Sequence, residues 1–199
     1  MTKLICFSLL MLALSLAPAH AADIDLATSK ITVHVEKSGL FSAFAHNHTI
    51  SAPLASGHLD VEKHTIELKF RSQEMQVVDP DASDSERASI EHTMKSDQVL
   101  DPTRFPEITF VSTSVETPAA ETSAPTHYLV RGNLTLHGVT RPIELSVSFS
   151  EASNAGSEAR YTGKVTLKQT DFGITPVKIG GGAVRVKDPI EIVFEIVAK

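Results

Sequence analysis

The chain has 199 residues, of which 42% are hydrophobic and 21% are charged, and its formal net charge at pH 7 is −6. This composition, with 10 glycines and 10 prolines, excludes a disordered chain, a collagen-like fibre and a polytopic membrane protein. The acidic balance also argues against nucleic acid as a partner.

The first 21 residues have the pattern of a secretory signal peptide. Lys3 supplies a positive start, Leu4–Leu16 is an almost unbroken apolar run, and Ala19–Ala21 offers the small-x-small pattern that precedes cleavage. The apolar run is shorter than the roughly 20 residues that a membrane-spanning helix needs. We therefore expect a mature chain that begins at Ala22, forms a single domain over residues 22–199 and has no transmembrane segment.

Removal of this segment limits the chemistry of the mature protein. The only cysteine, Cys6, lies within it, so the mature chain has no disulfide, no thiol nucleophile and no cysteine-based metal site. A domain of the remaining size buries enough surface for a core without a metal. We expect no cofactor.

From Ser29 onward, apolar and polar residues alternate with the period of two that is typical of β-strands with one buried face. Together with a less regular stretch around residues 44–50, the alternating runs predict about eight strands. In chain order the runs are Ile31–Val35, Leu59–Val61, Ile66–Phe70, Ile108–Phe110, Leu134–Leu136, Ile143–Phe149, Val165–Leu167 and Ile190–Ile196.

One segment has a helical pattern instead. Ser83 and Glu86 form a capping box, and Ile90 and Met94 lie four residues apart on one face, which predicts about three helical turns ending before Asp101. One short helix among eight antiparallel strands predicts an all-β protein, an eight-stranded antiparallel barrel that leaves no exposed sheet edge. Such a barrel is filled by its side chains or holds one slender ligand.

Several motifs in this sequence occur together in one known family. They are Ser29 with Ile31, Val33 and Val35, then Arg87 and Met94, the stretch Leu100–Thr113, the stretch Gly132–Pro142, and Asp171–Ile174. In their order and approximate spacing these motifs resemble the YceI-like family of periplasmic, polyisoprenoid-binding, lipocalin-like proteins. The resemblance implies a barrel that holds an isoprenoid-type lipid, such as a quinone tail or a polyprenyl chain, in an apolar interior. It implies no catalysis, and with the signal peptide it implies a periplasmic protein.

The ligand contacts that we expect are the apolar residues on the inward side of each strand. Two aromatic residues beside Gly39, Phe41 and Phe44, are added because they could gate the barrel mouth, although capping of the core is the simpler interpretation. A solid core of the same residues is the alternative, and it would leave a structural barrel that works through protein partners. The inward candidates are Val33, Val35, Leu59, Val61, Leu68, Phe70, Phe110, Leu134, Leu136, Leu145, Val147, Phe149, Val165, Ile192 and Phe194.

His46 and His48 are the one constellation that suggests further chemistry. In an extended segment, residues two apart point to the same side and could present two imidazoles to one metal ion. A periplasmic metal-binding protein is therefore our alternative prediction; a structural role and a contact with a lipid headgroup are the other interpretations. The loops around residues 41–48 and 180–187 are the expected headgroup region.

The sequence contains no Gly-x-Ser-x-Gly nucleophile elbow and no paired catalytic carboxylates. We therefore predict that the protein is not an enzyme. The expected partner is the lipid, and the protein itself is expected to be a monomer or a homodimer.

Overall fold

The computed structural model of the chain describes residues 21–38, 47–60, 62–117, 126–151, 158–179, 181 and 184–199. In these ranges the chain forms one antiparallel sheet of twelve strands, one α-helix and two short 3₁₀ helices at Ser72–Glu74 and Gln169–Phe172. The strands are β1 (Ala21–Asp23), β2 (Lys30–Ser38), β3 (His48–Ser51), β4 (Leu54–Asp60), β5 (Thr65–Arg71), β6 (Gln76–Val77), β7 (Glu107–Glu116), β8 (His127–Leu136), β9 (Val139–Glu151), β10 (Ala159–Lys168), β11 (Lys178–Ile179) and β12 (Val184–Ala198), and the helix is α1 (Asp84–Met94).

Eight positions of the sheet form a closed ring. β2 pairs with β12 on one side and with β3 on the other, and β3 continues after Ala52 and Pro53 into β4. From β4 the ring runs through β5, β7, β8, β9 and β10 back to β12. The predicted eight-stranded barrel is therefore confirmed. The higher strand count arises because β3 and β4 share one position and β1, β6 and β11 are short additions.

The break between β3 and β4 has a local cause. Pro53 has no amide hydrogen and cannot donate to the ladder, so regular pairing stops there. The amide of Ala52 still donates to the carbonyl of Ile31, over 2.9 Å. The strand consequently bends across β2 without leaving the barrel wall.

The first and last strands of the barrel domain lie beside each other. β1 pairs with β4, and the next residue, Ile24, forms a bridge with Ala198. The amide of Lys199 donates to the carbonyl of Asp23 over 2.9 Å, and the Lys199 ammonium pairs with the carboxylate of Asp25.

Helix α1 begins where the sequence predicts. The Ser83 hydroxyl accepts from the amide of Glu86 and the Glu86 carboxylate accepts from the amide of Ser83, which satisfies two amides at the helix start. Met94 is buried, and Ile90 packs beside it against the core. Among the residues that the structure describes, no helix combines the length and apolarity that crossing a membrane requires.

Glycines on the inner face allow two aromatic rings to lie flat against the barrel wall. A Cβ at Gly132 would lie 2.5 Å from the ring of Phe110, and a Cβ at Gly163 would lie 2.5 Å from the ring of Phe194. Because no side chain stands at either glycine, each ring packs into that space against the backbone.

Candidate functional site

The barrel encloses an elongated cavity of about 530 Å³, which lies within the range of small-molecule sites. All eight positions of the ring contribute lining residues, and Ile90 and Met94 of α1 cover one end. The lining is almost entirely apolar. The interior is thus hollow, and the solid core considered from the sequence is not the arrangement found.

Most of the residues predicted to face the ligand line this cavity. Their position is established, whereas their role in binding remains a prediction. The lining residues that the sequence predicted are Val33, Val35, Leu59, Leu68, Phe70, Phe110, Leu134, Leu136, Leu145, Val147, Val165, Ile192 and Phe194.

The other predicted residues have different outcomes. Phe149 does not line the cavity but lies at its rim, with its ring centroid 6.3 Å from that of Tyr128 and 5.3 Å from that of Tyr161. The predictions at Phe41, Phe44 and His46, and the one at Val61, fall outside the described residues.

Several lining residues were not predicted. Tyr128 and Tyr161 lie on the same inward face as Leu134 and Val165, so extending the period of two along β8 and β10 would have found them. Met75 follows a 3₁₀ helix, where neither strand nor helix periodicity applies. Ile90 and Met94 were assigned to a helix, but their position over the cavity depends on the tertiary fold.

The two ends of the cavity differ in chemistry. We call the first the aromatic end, defined by Tyr128, Phe149 and Tyr161. Burial raises the pKa of the Tyr161 hydroxyl, and the nearby Tyr128 adds to this shift. We call the second the helix end, defined by His48, Asp79 and α1, which includes Ser89 and Thr93 of the lining.

Two of the polar lining residues are fully engaged by the protein itself. Asp60 accepts from the Lys63 ammonium at 2.7 Å and from the Lys63 amide at 2.9 Å, and these bonds lower the pKa of its carboxyl. The side-chain amide of Gln169 donates to the carbonyl of Lys187 at 2.8 Å. Neither residue needs a ligand to satisfy it.

His48 at the helix end is held differently. Its Nδ1 lies 2.7 Å from Oδ2 of Asp79, whose side chain is 5% exposed, and the other oxygen of Asp79 accepts from the amide of Thr49. Arg87 fixes the same segment from α1, because its guanidinium donates to the carbonyl of Asp79 at 2.9 Å and to that of Ala82. The His48 ring is therefore fixed, and in the described residues its Nε2 has no hydrogen-bond partner.

Of the two histidines in the predicted pair, only His48 can be assessed, because His46 lies outside the described ranges. Across the part of the chain that the structure describes, no group of three or more histidine, cysteine, aspartate or glutamate side chains could hold a metal ion. The metal-binding alternative therefore has no support from the described geometry and remains a prediction.

Two solved structures illustrate which proteins share the fold of this chain. The chain superposes on Burkholderia cenocepacia BcnA with a TM-score of 0.62 at 20% identity, covering 89% of this chain and 100% of that one. It superposes on a polyisoprenoid binding domain from Saccharophagus degradans, implicated in plant cell wall breakdown, with a TM-score of 0.60 at 13% identity, covering 90% and 97%. At these identities the likeness concerns the fold.

Sequence comparison identifies the family. A UPF0312 protein of Pseudomonas syringae pv. tomato is 36% identical over 109 residues, which is 53% of this chain and 52% of that protein. A UPF0312 protein of Shewanella oneidensis is 33% identical over 119 residues, or 58% of each chain. The chain thus matches these relatives over about half their length. The family model described as YceI-like domain matches residues 23–198, the same residues that form the barrel and its cavity, and the chain belongs to the YceI-like family.

Proposed function

We propose that this protein is exported through a cleaved signal peptide over residues 1–21 and that its barrel, residues 22–199, works in the periplasm as a non-enzymatic carrier of an isoprenoid-type lipid. The observation that carries the proposal is the hollow, apolar interior of about 530 Å³. The Saccharophagus degradans protein of the same fold is described as polyisoprenoid binding, which supports the same ligand class.

The chemistry of the lining suits a hydrocarbon chain. A polyprenyl tail has only methyl, methylene and alkene surface, and its transfer from water into an apolar cavity is favourable by about 0.8 kcal/mol per buried methylene. Such binding needs no polar recognition along the tail. The apolar alternation of the strands is sufficient to provide it.

The shape of the cavity suits a slender ligand. Tyr128 and Leu136 both line it and stand eight residues apart on β8. At about 3.3 Å per residue that separation is roughly 26 Å along the strand, or roughly 20 Å along the axis for strands tilted by about 40°. A long, thin space favours an extended chain over a compact ligand.

Organic extraction tests the proposal directly. We expect the protein purified from a bacterial periplasm to release an isoprenoid-type lipid, identified by mass spectrometry, in roughly equimolar amount. Protein that is unfolded in urea, washed and refolded without lipid serves as the control, and it should take up an isoprenoid alcohol and unfold at a higher temperature. At a ligand concentration 100 times the Kd the expected stabilisation is about 2.7 kcal/mol.

Two results together would contradict the carrier function. They are an extract without lipid and a refolded barrel whose unfolding temperature does not change when isoprenoid is added. A lipid of another class, such as a straight-chain fatty acid, would retain the carrier function but contradict the proposed isoprenoid ligand.

A further inference from the structure

The described cavity lining offers no cation of the kind that usually binds a phosphate group, and Arg87 at the helix end is engaged by Asp84 and by the carbonyls of Asp79 and Ala82. In the described residues no lysine or arginine side chain lines the cavity. Lys187 near the helix end is engaged by Glu36, whose carboxylate oxygen is 2.5 Å from its ammonium, and the pKa of Glu36 is lowered by that bond. The segments beyond residue 20 that the structure leaves undescribed contain no lysine or arginine in their sequence.

A small recess of about 170 Å³ adjoins His48. It lies between the histidine and α1, and it shares His48, Ser89 and Ile90 with the large cavity. A tail in the cavity could therefore place its terminal group beside the imidazole. Glu86, whose carboxylate accepts from the amide and hydroxyl of Ser83, lines the same recess, and Asp79 lies behind the ring, so an anionic group would be placed near two acidic residues.

The hydrogen bond to Asp79 determines what the free nitrogen of His48 can do. An ionised carboxylate only accepts, so Nδ1 of His48 carries the hydrogen in that 2.7 Å contact. In the neutral ring Nε2 is then an acceptor, and in the protonated ring it is a donor. A hydroxyl group can bond to Nε2 in both states, whereas a carbonyl can bond only to the protonated ring.

We propose that His48, fixed by Asp79, is the headgroup site of the barrel and that it selects an isoprenoid alcohol over an isoprenoid phosphate. This inference rests on the proposed carrier function, since the tail must occupy the cavity. The hydroxyl gains one hydrogen bond at Nε2, while a phosphate would lose its water shell near Glu86 and Asp79, at a site whose described lining contains no lysine or arginine.

The experiment compares four C20 probes that differ in their terminal group. Geranylgeraniol carries a hydroxyl, geranylgeranial a carbonyl, geranylgeranyl phosphate an anion, and phytane, a saturated hydrocarbon, carries no headgroup. Each displaces the fluorescent probe N-phenyl-1-naphthylamine from lipid-free protein at pH 7.5. We expect the ratio of geranylgeraniol affinity to phytane affinity to be about fivefold higher in the wild type than in a variant without the His48 imidazole, as one net hydrogen bond provides. We also expect geranylgeraniol to bind the wild type more tightly than either other probe with a headgroup.

Substitutions test whether His48 is the residue that causes the preference for the alcohol. His48→Phe retains a ring but removes both nitrogens, so the preference for geranylgeraniol over phytane should fall about fivefold while phytane still binds. The matched control is His58→Phe, the same substitution at an exposed histidine of β4 that lines neither the cavity nor the recess. This control should keep the wild-type preference.

The outcomes distinguish failure of the proposed carrier function from failure of the headgroup assignment at His48. If no probe displaces the dye from the wild-type protein, the carrier function itself fails. If phytane binds but geranylgeranyl phosphate binds more tightly than the alcohol, or if His48→Phe keeps the preference, only the headgroup assignment is overturned. Loss of the preference on adding EDTA would likewise overturn it, because a metal ion rather than the imidazole would then hold the hydroxyl.

Discussion

Asp25 and Lys199 join the beginning and the end of the barrel through their side chains. The bond from the Lys199 ammonium, supported by the amide of Thr28, lowers the pKa of Asp25 from its usual 3.8 to about 2. The same bond raises the pKa of Lys199. This pair therefore couples the stability of the closed barrel to acid.

The acid dependence has a definite sign. Because the pKa of Asp25 is lower in the folded state than in the unfolded state, its contribution to stability is complete above about pH 4 and disappears as the pH falls towards 2. We expect the Tm of Asp25→Asn to lie below that of the wild type at pH 5 to 7, and the two to converge near pH 2. Circular dichroism melts across this range provide the measurement.

Asp97→Asn, at an exposed aspartate, is the control for the loss of one negative charge. Its Tm should follow the wild type at every pH. A difference between Asp25→Asn and wild type that stays constant from pH 7 to pH 2 would contradict the role given to the pair.

Single residues show where sequence reasoning succeeds and where it ends. Val33, Leu145 and Ile192 were found because inward and outward sides alternate along a strand. His48 was singled out, but its partner Asp79 was not, because Asp79 lies 31 residues further on in an irregular segment that only the fold brings near. The distinction between a free histidine and a fixed one therefore required the structure.

At the level of the strand, the inner glycines make a testable contribution. A methyl group at Gly163 would lie 2.5 Å from the ring of Phe194 and 2.6 Å from the carbonyl oxygen of Ser146. Both neighbours would have to move, so Gly163→Ala should lower the free energy of unfolding by about 1–3 kcal/mol. Urea denaturation provides the measurement.

Thr162→Ala, one position along β10 and on the outer face, is the matched control and should stay within about 0.5 kcal/mol of wild type. If Gly163→Ala were as stable as this control, the close approach of the Phe194 ring would not be the reason for the glycine.

Strands and helices with a regular sequence pattern could be predicted, whereas very short elements could not. The long strands and the capped helix α1 follow from periods of two and from the Ser83–Glu86 capping box. β6 and β11 have two residues each, which is too short to show a period. The division of one ring position into β3 and β4 results from Pro53, whose effect on pairing was not anticipated.

At the scale of the whole molecule, the sequence did not determine whether the barrel interior is hollow or filled by side chains. Alternation identifies which side chains face inward, but whether they meet at the axis depends on the tilt and register of eight strands. It depends also on local packing, such as the rings of Phe110 and Phe194 lying over glycines. These are properties of the closed barrel, and no single strand shows them.

The central claim is that the cavity is where the lipid tail lies. Ile192 and Val193 are neighbours on β12, but Ile192 lines the cavity whereas Val193 is 37% exposed on the outside. Because the chain contains no native tryptophan, Ile192→Trp and Val193→Trp add the same side chain to opposite faces of one strand. Folding of each variant is checked by its circular dichroism spectrum and cooperative melt.

The most direct measurement is the amount of geranylgeraniol bound per mole of lipid-free protein in the wild type and in these two variants. We predict about one mole for the wild type and for Val193→Trp, and clearly less for folded Ile192→Trp, whose larger side chain obstructs the narrow cavity. Equal binding by the two tryptophan variants would contradict the claim and place the lipid outside the barrel.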